Sequence, residues 1–144
     1  MKKTLTFAVQ NFVLKKYHEM FENIIQQYQV NQIEIDVLAF LANNPEYKYA
    51  QDIVSVRRIS KGHVSMAIDS LTKKEFLRRT PDPNNRICNI LVITDKAKEL
   101  VKDIQAIQLT YIKNAYQDFS EEEMKKYKEF EERIYRNLGG RINE

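Results

Sequence analysis

Cysteine, glycine and proline are scarce in this chain, at one, three and three of 144 residues. A lone thiol, Cys88, excludes an internal disulfide framework and fits a reducing compartment. Two histidines beside one cysteine are too few for a zinc site. "HEMFE", from His18 to Glu22, lacks the second histidine of a zinc-protease helix and reads as a surface helix. There is no glycine-rich phosphate loop and no Cys-His or carboxylate-His-Ser arrangement in suggestive order, so neither an enzyme nor a cofactor or metal is expected. Long hydrophobic runs are missing too. The opening "MKKTLTFAVQNFVLKKYHEMFE" is broken by Lys15, Lys16, Glu19 and Glu22 before it reaches spanning length, and no small-residue cleavage site follows. The expectation is a cytoplasmic soluble protein with no membrane partner. Residues 1–144 are expected to form a single domain, large enough to bury roughly two-thirds of its unfolded surface.

What is present is helical patterning around one irregular excursion. From Thr4 to Gln29, Phe12, Tyr17, Met20, Phe21, Ile24, Ile25 and Tyr28 recur at three- and four-residue spacings, which predicts one long amphipathic helix. A second helix starts at Asn31, with Glu34 completing a capping box and Val30 and Ile35 in staple positions; "NNPE" stops it. A short third helix fits "AQDIVSVRR", burying Ile53 and one of Val54 or Val56. A fourth follows Ser60, with Val64, Ala67, Ile68 and Leu71 on one face and Gly62, Ser65, Met66, Asp69 and Lys73 on the other. Two strands flank a turn at Pro81 to Asn85. Thr94 is placed to cap a fifth, long helix, and "FSEEEM" opens a sixth with Ser120 as cap, Glu123 closing a box, and Gly139 and Gly140 at its end.

Charge is concentrated in the middle of the chain. The net charge is only +3, but Arg57 to Arg86 holds eight basic residues against three acidic ones, whereas Asp118 to the C-terminus holds six against eight. Short helix, tight turn, polar-faced helix and basic hairpin form a winged helix-turn-helix over 31–94. The expected fold is mostly α, with a two- or three-stranded β wing and long terminal helices. In that arrangement the second helix of the motif reads double-stranded DNA through Ser60, Lys61, Gly62, His63, Ser65, Met66 and Lys73. The wing and its neighbours, Arg57, Arg58, Arg78, Arg79, Asn85 and Arg86, hold phosphates and reach the minor groove. Leu5, Val9, Phe12, Phe119, Tyr127, Ile134 and Leu138 are surplus to one lobe's core, so 1–30 and 95–144 are expected to be dimerisation helices.

The stretch "ISKGHVSMAIDSLTKKEFLRRTPDPNNRICNILVITDKAKEL" resembles the multiple-antibiotic-resistance regulator (MarR) family of bacterial transcription factors, with Arg86 matching the wing-tip arginine. Glu75 stands where that family usually has glycine, and Met66 where an arginine that reaches DNA often lies. The resemblance implies a homodimer on palindromic operators, often a repressor released by a small phenolic or other anionic ligand. The aromatic stripe of the first helix reads as core, and the family pattern adds an effector cleft there. Cys88 reads as an ordinary strand cysteine, with a thiol sensor as the alternative. A second class of function stays open, a winged-helix dimer that binds proteins rather than DNA, encouraged by Met66 alone.

Overall fold

The computed structural model describes residues 3–141. The helices are α1 (Lys3–Glu19), α2 (Glu22–Tyr28), α3 (Gln32–Asn43), α4 (Ala50–Arg57), α5 (Lys61–Lys73), α6 (Lys98–Ala115) and α7 (Glu121–Asn137). An antiparallel hairpin, β1 (Leu77–Asp82) and β2 (Asn85–Ile93), lies between α5 and a short 3-10 turn at Asp95–Ala97. The expected mostly-α winged helix is what the chain forms. Among the described residues the sheet has two strands, and one hydrogen bond from the Leu91 N–H to the Lys48 carbonyl, 2.8 Å, is all that extends it. The chain divides into two compact units, Met1–Gln108 and Leu109–Glu144.

The first unit is organised around α3, whose Ile35, Val37, Leu38, Ala39, Phe40 and Leu41 are all buried. Asn31 caps this helix as expected, accepting from the Glu34 N–H at 2.9 Å while Glu34 accepts from the Asn31 N–H at 3.2 Å. Glu34 does more than cap. Its carboxylate is buried and receives Lys74 Nζ at 3.0 Å and the Ser70 hydroxyl at 3.1 Å, and Lys74 also donates to the Gln29 carbonyl at 2.6 Å. The network binds the α2–α3 turn to the end of α5. The core also reaches past 31–94, taking in Phe21, Ile24 and Val30 on one side and Ala97, Leu100 and Ile104 on the other. Asp103 accepts the Tyr28 hydroxyl at 2.6 Å, which fastens α2 to α6 and pushes the phenol up to about 12.

Two expectations are corrected. The long first helix is two helices, broken at Met20–Phe21, where N–H groups bond three residues back to Tyr17 and His18. Phe21 sits at φ −92°, ψ 1°, fully buried and edge-on to Tyr17, so delivering this ring to the core outweighs continuing the helix. Up to that point the apolar side chains Leu5, Phe7, Val9, Phe12, Val13 and Leu14 stay exposed. The second concerns Thr94, which does stand at the N-cap, of the 3-10 turn leading into α6, but whose hydroxyl donates to the Glu75 carbonyl at 2.5 Å rather than accepting from the helix start.

In the second unit Ser120 and Glu123 make the expected capping box. The Tyr116 ring meets Phe119 edge-on at 5.9 Å and Tyr127 at 5.8 Å. No residue of α7 is buried, although Tyr127, Phe130, Ile134 and Tyr135 lie along it. Gly139, at φ +87°, ends the helix with the Gly140 N–H on the Tyr135 carbonyl, a turn that needs the left-handed backbone glycine tolerates.

Candidate functional site

Helix α4 is fixed at its start by Asp52, which accepts the Tyr49 and Lys48 N–H groups at 3.0 and 3.2 Å. Ile53 is fully buried and Val54 half-buried, while Val56 is exposed. The chain leaves α4 through Arg58, at φ 60°, and reaches Ser60, whose Oγ accepts the His63 N–H at 3.3 Å and lies 2.9 Å from His63 Nδ1. Val64, Ala67, Ile68 and Leu71 then bury one face of α5. The opposite face carries Gly62, Ser65, Met66, Asp69 and Lys73, all exposed, with Met66 at 71%. A Cβ added at Gly62 would meet nothing within 4 Å, so at this position the helix surface is bare.

The basic residues divide into two sets. Arg57 is paired with Asp36 at 3.5 Å, Arg79 with Asp69 of α5, and Lys74 with Glu34 inside the fold. Lys74 therefore leaves the surface run in which its sequence neighbours place it. Lys61, Lys73, Arg78 and Arg86 are exposed and form no ion pair among the described residues. The Arg79–Asp69 pair ties β1 to α5, and at the far end of the hairpin the Tyr49 hydroxyl donates to Asp82 Oδ2 at 2.5 Å. Asp82 also accepts the Asn84 N–H at 2.9 Å. These bonds, the one from Tyr49 foremost, hold the Asp82 carboxyl below the usual carboxylate range and push the Tyr49 phenol up.

Two of the clefts that border these elements hold candidate residues. One, of about 290 Å³, lies between α4, α5 and the hairpin and brings Tyr49, Lys61, Ser65, Arg79 and Cys88 to a shared apolar floor. The other, of about 180 Å³, is lined by Tyr17, Asp36, Asn43, Arg57 and Gln108. Of the aromatic stripe, Tyr17 lines this second cleft, Phe21 is core and Phe12 is exposed. Gln108 Nε2 donates to the Tyr17 oxygen at 3.0 Å and Asn43 donates to Gln108 Oε1 at 2.9 Å; burial pushes the Tyr17 phenol up. Leu5, Val9 and Phe12 on α1 are exposed, as are Phe119, Tyr127, Ile134 and Leu138 in the second unit.

The pairing of Tyr49 with Asp82 could not be read from the sequence, because 33 residues separate the partners and no local pattern links them. Ile87 carries no sequence signal either, although it is 94% exposed at the hairpin tip.

Residues 28–86, from the end of α2 into β2, match the model of the MarR family. Over that span the chain is similar to the MarR family, and its fold is a winged helix. Solved structures agree with that fold over nearly the whole chain. A MarR family regulator from Listeria monocytogenes, crystallised with a 26mer DNA, is 16% identical and superimposes with a TM-score of 0.79, covering 100% of both chains. The MepR–DNA complex from S. aureus is 16% identical at a TM-score of 0.78, covering 96% of each chain. A MarR regulator from Methanosarcina mazei Go1 reaches 0.72 at 16% identity, over 94% of this chain and 96% of that one. No curated protein matches the chain. In this winged helix, α4 and α5 are the helix-turn-helix and β1–β2 the wing.

Proposed function

We propose that the chain is a DNA-binding transcription regulator of the bacterial cytoplasm that acts as a homodimer on a palindromic operator, as a repressor. The observation that carries this reading is the α5 surface, exposed and cut back at Gly62, beside four unpaired cations, Lys61, Lys73, Arg78 and Arg86, within a MarR-family segment. In a winged helix, α5 enters the major groove with Ser60, Lys61, Gly62, His63, Ser65, Met66 and Lys73, and the wing tracks phosphates with Arg58, Arg78, Asn85 and Arg86. Arg57 and Arg79 are held by carboxylates and act on DNA only by exchanging those partners. Met66 offers no hydrogen bond but can pack on a thymine methyl, so the half-site core is A·T-rich. The cleft at Tyr17 and Arg57 suits a small aromatic effector beside the phenol, or an anionic one that displaces Asp36 from Arg57.

Selection from a random duplex library is the test. A recovered palindrome, bound with a log affinity that falls against log salt with a slope of about −5 to −7 for three or four phosphate contacts per subunit, supports the reading. The apolar Met66 at the centre of the α5 surface favours a second reading, a protein-binding dimer. No enrichment together with a flat salt response would decide for it.

A further inference from the structure

The tip of the hairpin departs from regular pairing. Pro81 pairs with Asn89 but Asp82 pairs with Asn85, so Arg86, Ile87 and Cys88 fall between the two registers as a three-residue bulge. Asn85 fastens that bulge, its Oδ1 accepting the Ile87 N–H at 3.2 Å and its Nδ2 donating to Cys88 Sγ at 3.3 Å. Asp82, anchored by Tyr49, closes the turn just before it. Bulges re-aim side chains. Here the outcome is that Ile87 is the most exposed large apolar residue among those described, next to the exposed, unpaired Arg86. A solvated turn calls for polar residues, and the buried side of β2 is already supplied by Leu91 with Ile93 packed against the core. Neither solvation nor packing explains a β-branched hydrocarbon left exposed in the bulge of a basic hairpin.

We propose that Ile87 is an apolar wedge that enters the minor groove of duplex DNA flanking each half-site. The proposal rests on the regulator reading above. A cation and a hydrocarbon side by side suit that groove, because its negative potential draws in the arginine while an apolar side chain can press between base pairs and partly unstack a step. Unstacking is easiest at TA and CA/TG steps. The wing therefore selects sequence through deformability, at a place where no base edge is hydrogen-bonded. Ile87 displaces no counterion, so its contribution is independent of salt, whereas that of Arg86 is not.

The experiment runs the random-duplex selection with the full chain, Ile87→Ala, Ile87→Leu and Arg86→Ala in parallel. Wild type should enrich a pyrimidine–purine step at a fixed distance from the palindrome centre. Ile87→Ala should keep the palindrome, lose the flanking step, and bind the wild-type-selected duplex about tenfold more weakly with an unchanged salt slope; Ile87→Leu should restore both. Arg86→Ala should instead make the slope shallower by about 0.9 for each phosphate that the arginine neutralises. The same enriched sequence and the same affinity for Ile87→Ala would overturn the wedge while leaving the regulator intact. A fall in dimer content on Ile87→Ala would overturn it in favour of a second copy as the occupant. If wild type enriches nothing, the regulator reading fails and the wedge fails with it.

Discussion

At Glu75 the backbone takes φ +64° immediately after α5. The Phe76 N–H bonds to the Leu71 carbonyl and the Glu75 N–H to that of Thr72, the paired bonds of a Schellman turn, with Leu71 and Phe76 both buried. α7 closes in the same way on Gly139, where the left-handed backbone has no Cβ to strain it. Glu75→Gly should therefore raise the unfolding free energy by about 1 kcal/mol, since the exposed Lys96–Glu75 pair at 3.5 Å contributes little. Glu75→Ala is the control and should gain nothing. Denaturant titration of the three proteins reads this directly, and a glycine variant no more stable than wild type would refute it. The nearby Lys74–Glu34 pair has the opposite character, with the Glu34 side chain only 3% exposed. Lys74→Met leaves a buried carboxylate with its hydroxyl and backbone donors alone and should cost about 3 kcal/mol. Adding Glu34→Gln should recover most of that loss, and failure to recover would mean that Lys74 acts through packing.

The wing depends on a carboxylate whose folded value lies below its ordinary one. Its contribution to stability is therefore complete above the usual carboxylate range and is lost as pH falls through the lowered value. Tyr49→Phe removes the main cause of that shift, so wild type and variant should differ in unfolding midpoint at neutral pH and converge in acid. A difference that persists unchanged below the carboxylate range would show that Tyr49 contributes by packing instead. For α5, Met66→Ala should cost about 1 to 3 kcal/mol of affinity for the selected duplex and leave random duplex nearly unaffected. Competition binding at one salt concentration measures both, and equal losses on the two DNAs would remove α5 as the reader.

The chain as a whole leaves apolar side chains uncovered in each compact unit: Leu5, Phe7 and Phe12 in one, Phe119, Phe130, Ile134 and Leu138 in the other. A surface of this kind on terminal helices is what a symmetric partner covers. Sedimentation at micromolar concentration should give about twice 17.1 kDa, and Ile134→Glu with Leu138→Glu should return it to one chain's mass. A wild type that sediments only as a single chain would sink the dimer. The caps were legible residue by residue, because Asn31, Ser60 and Ser120 announce a helix start through bonds made within three residues. So was the sequence of helix, helix, hairpin and helix, since each apolar stripe repeats at the period of its own element.

Periodicity along the chain thus determined where helices and strands form and which faces of α4, α5 and α6 are buried. It did not determine where the first helix stops, because the break at Phe21 follows from the pull of a core assembled from α3, α5 and α6, which no window of sequence contains. The fate of the charges was equally hidden. Lys74 and Lys73 are adjacent and chemically identical, yet one is spent on a buried carboxylate 40 residues away and the other stays exposed. Only the folded chain separates them, because ion pairing depends on distance in space, and that is set by packing between elements rather than by order along the chain.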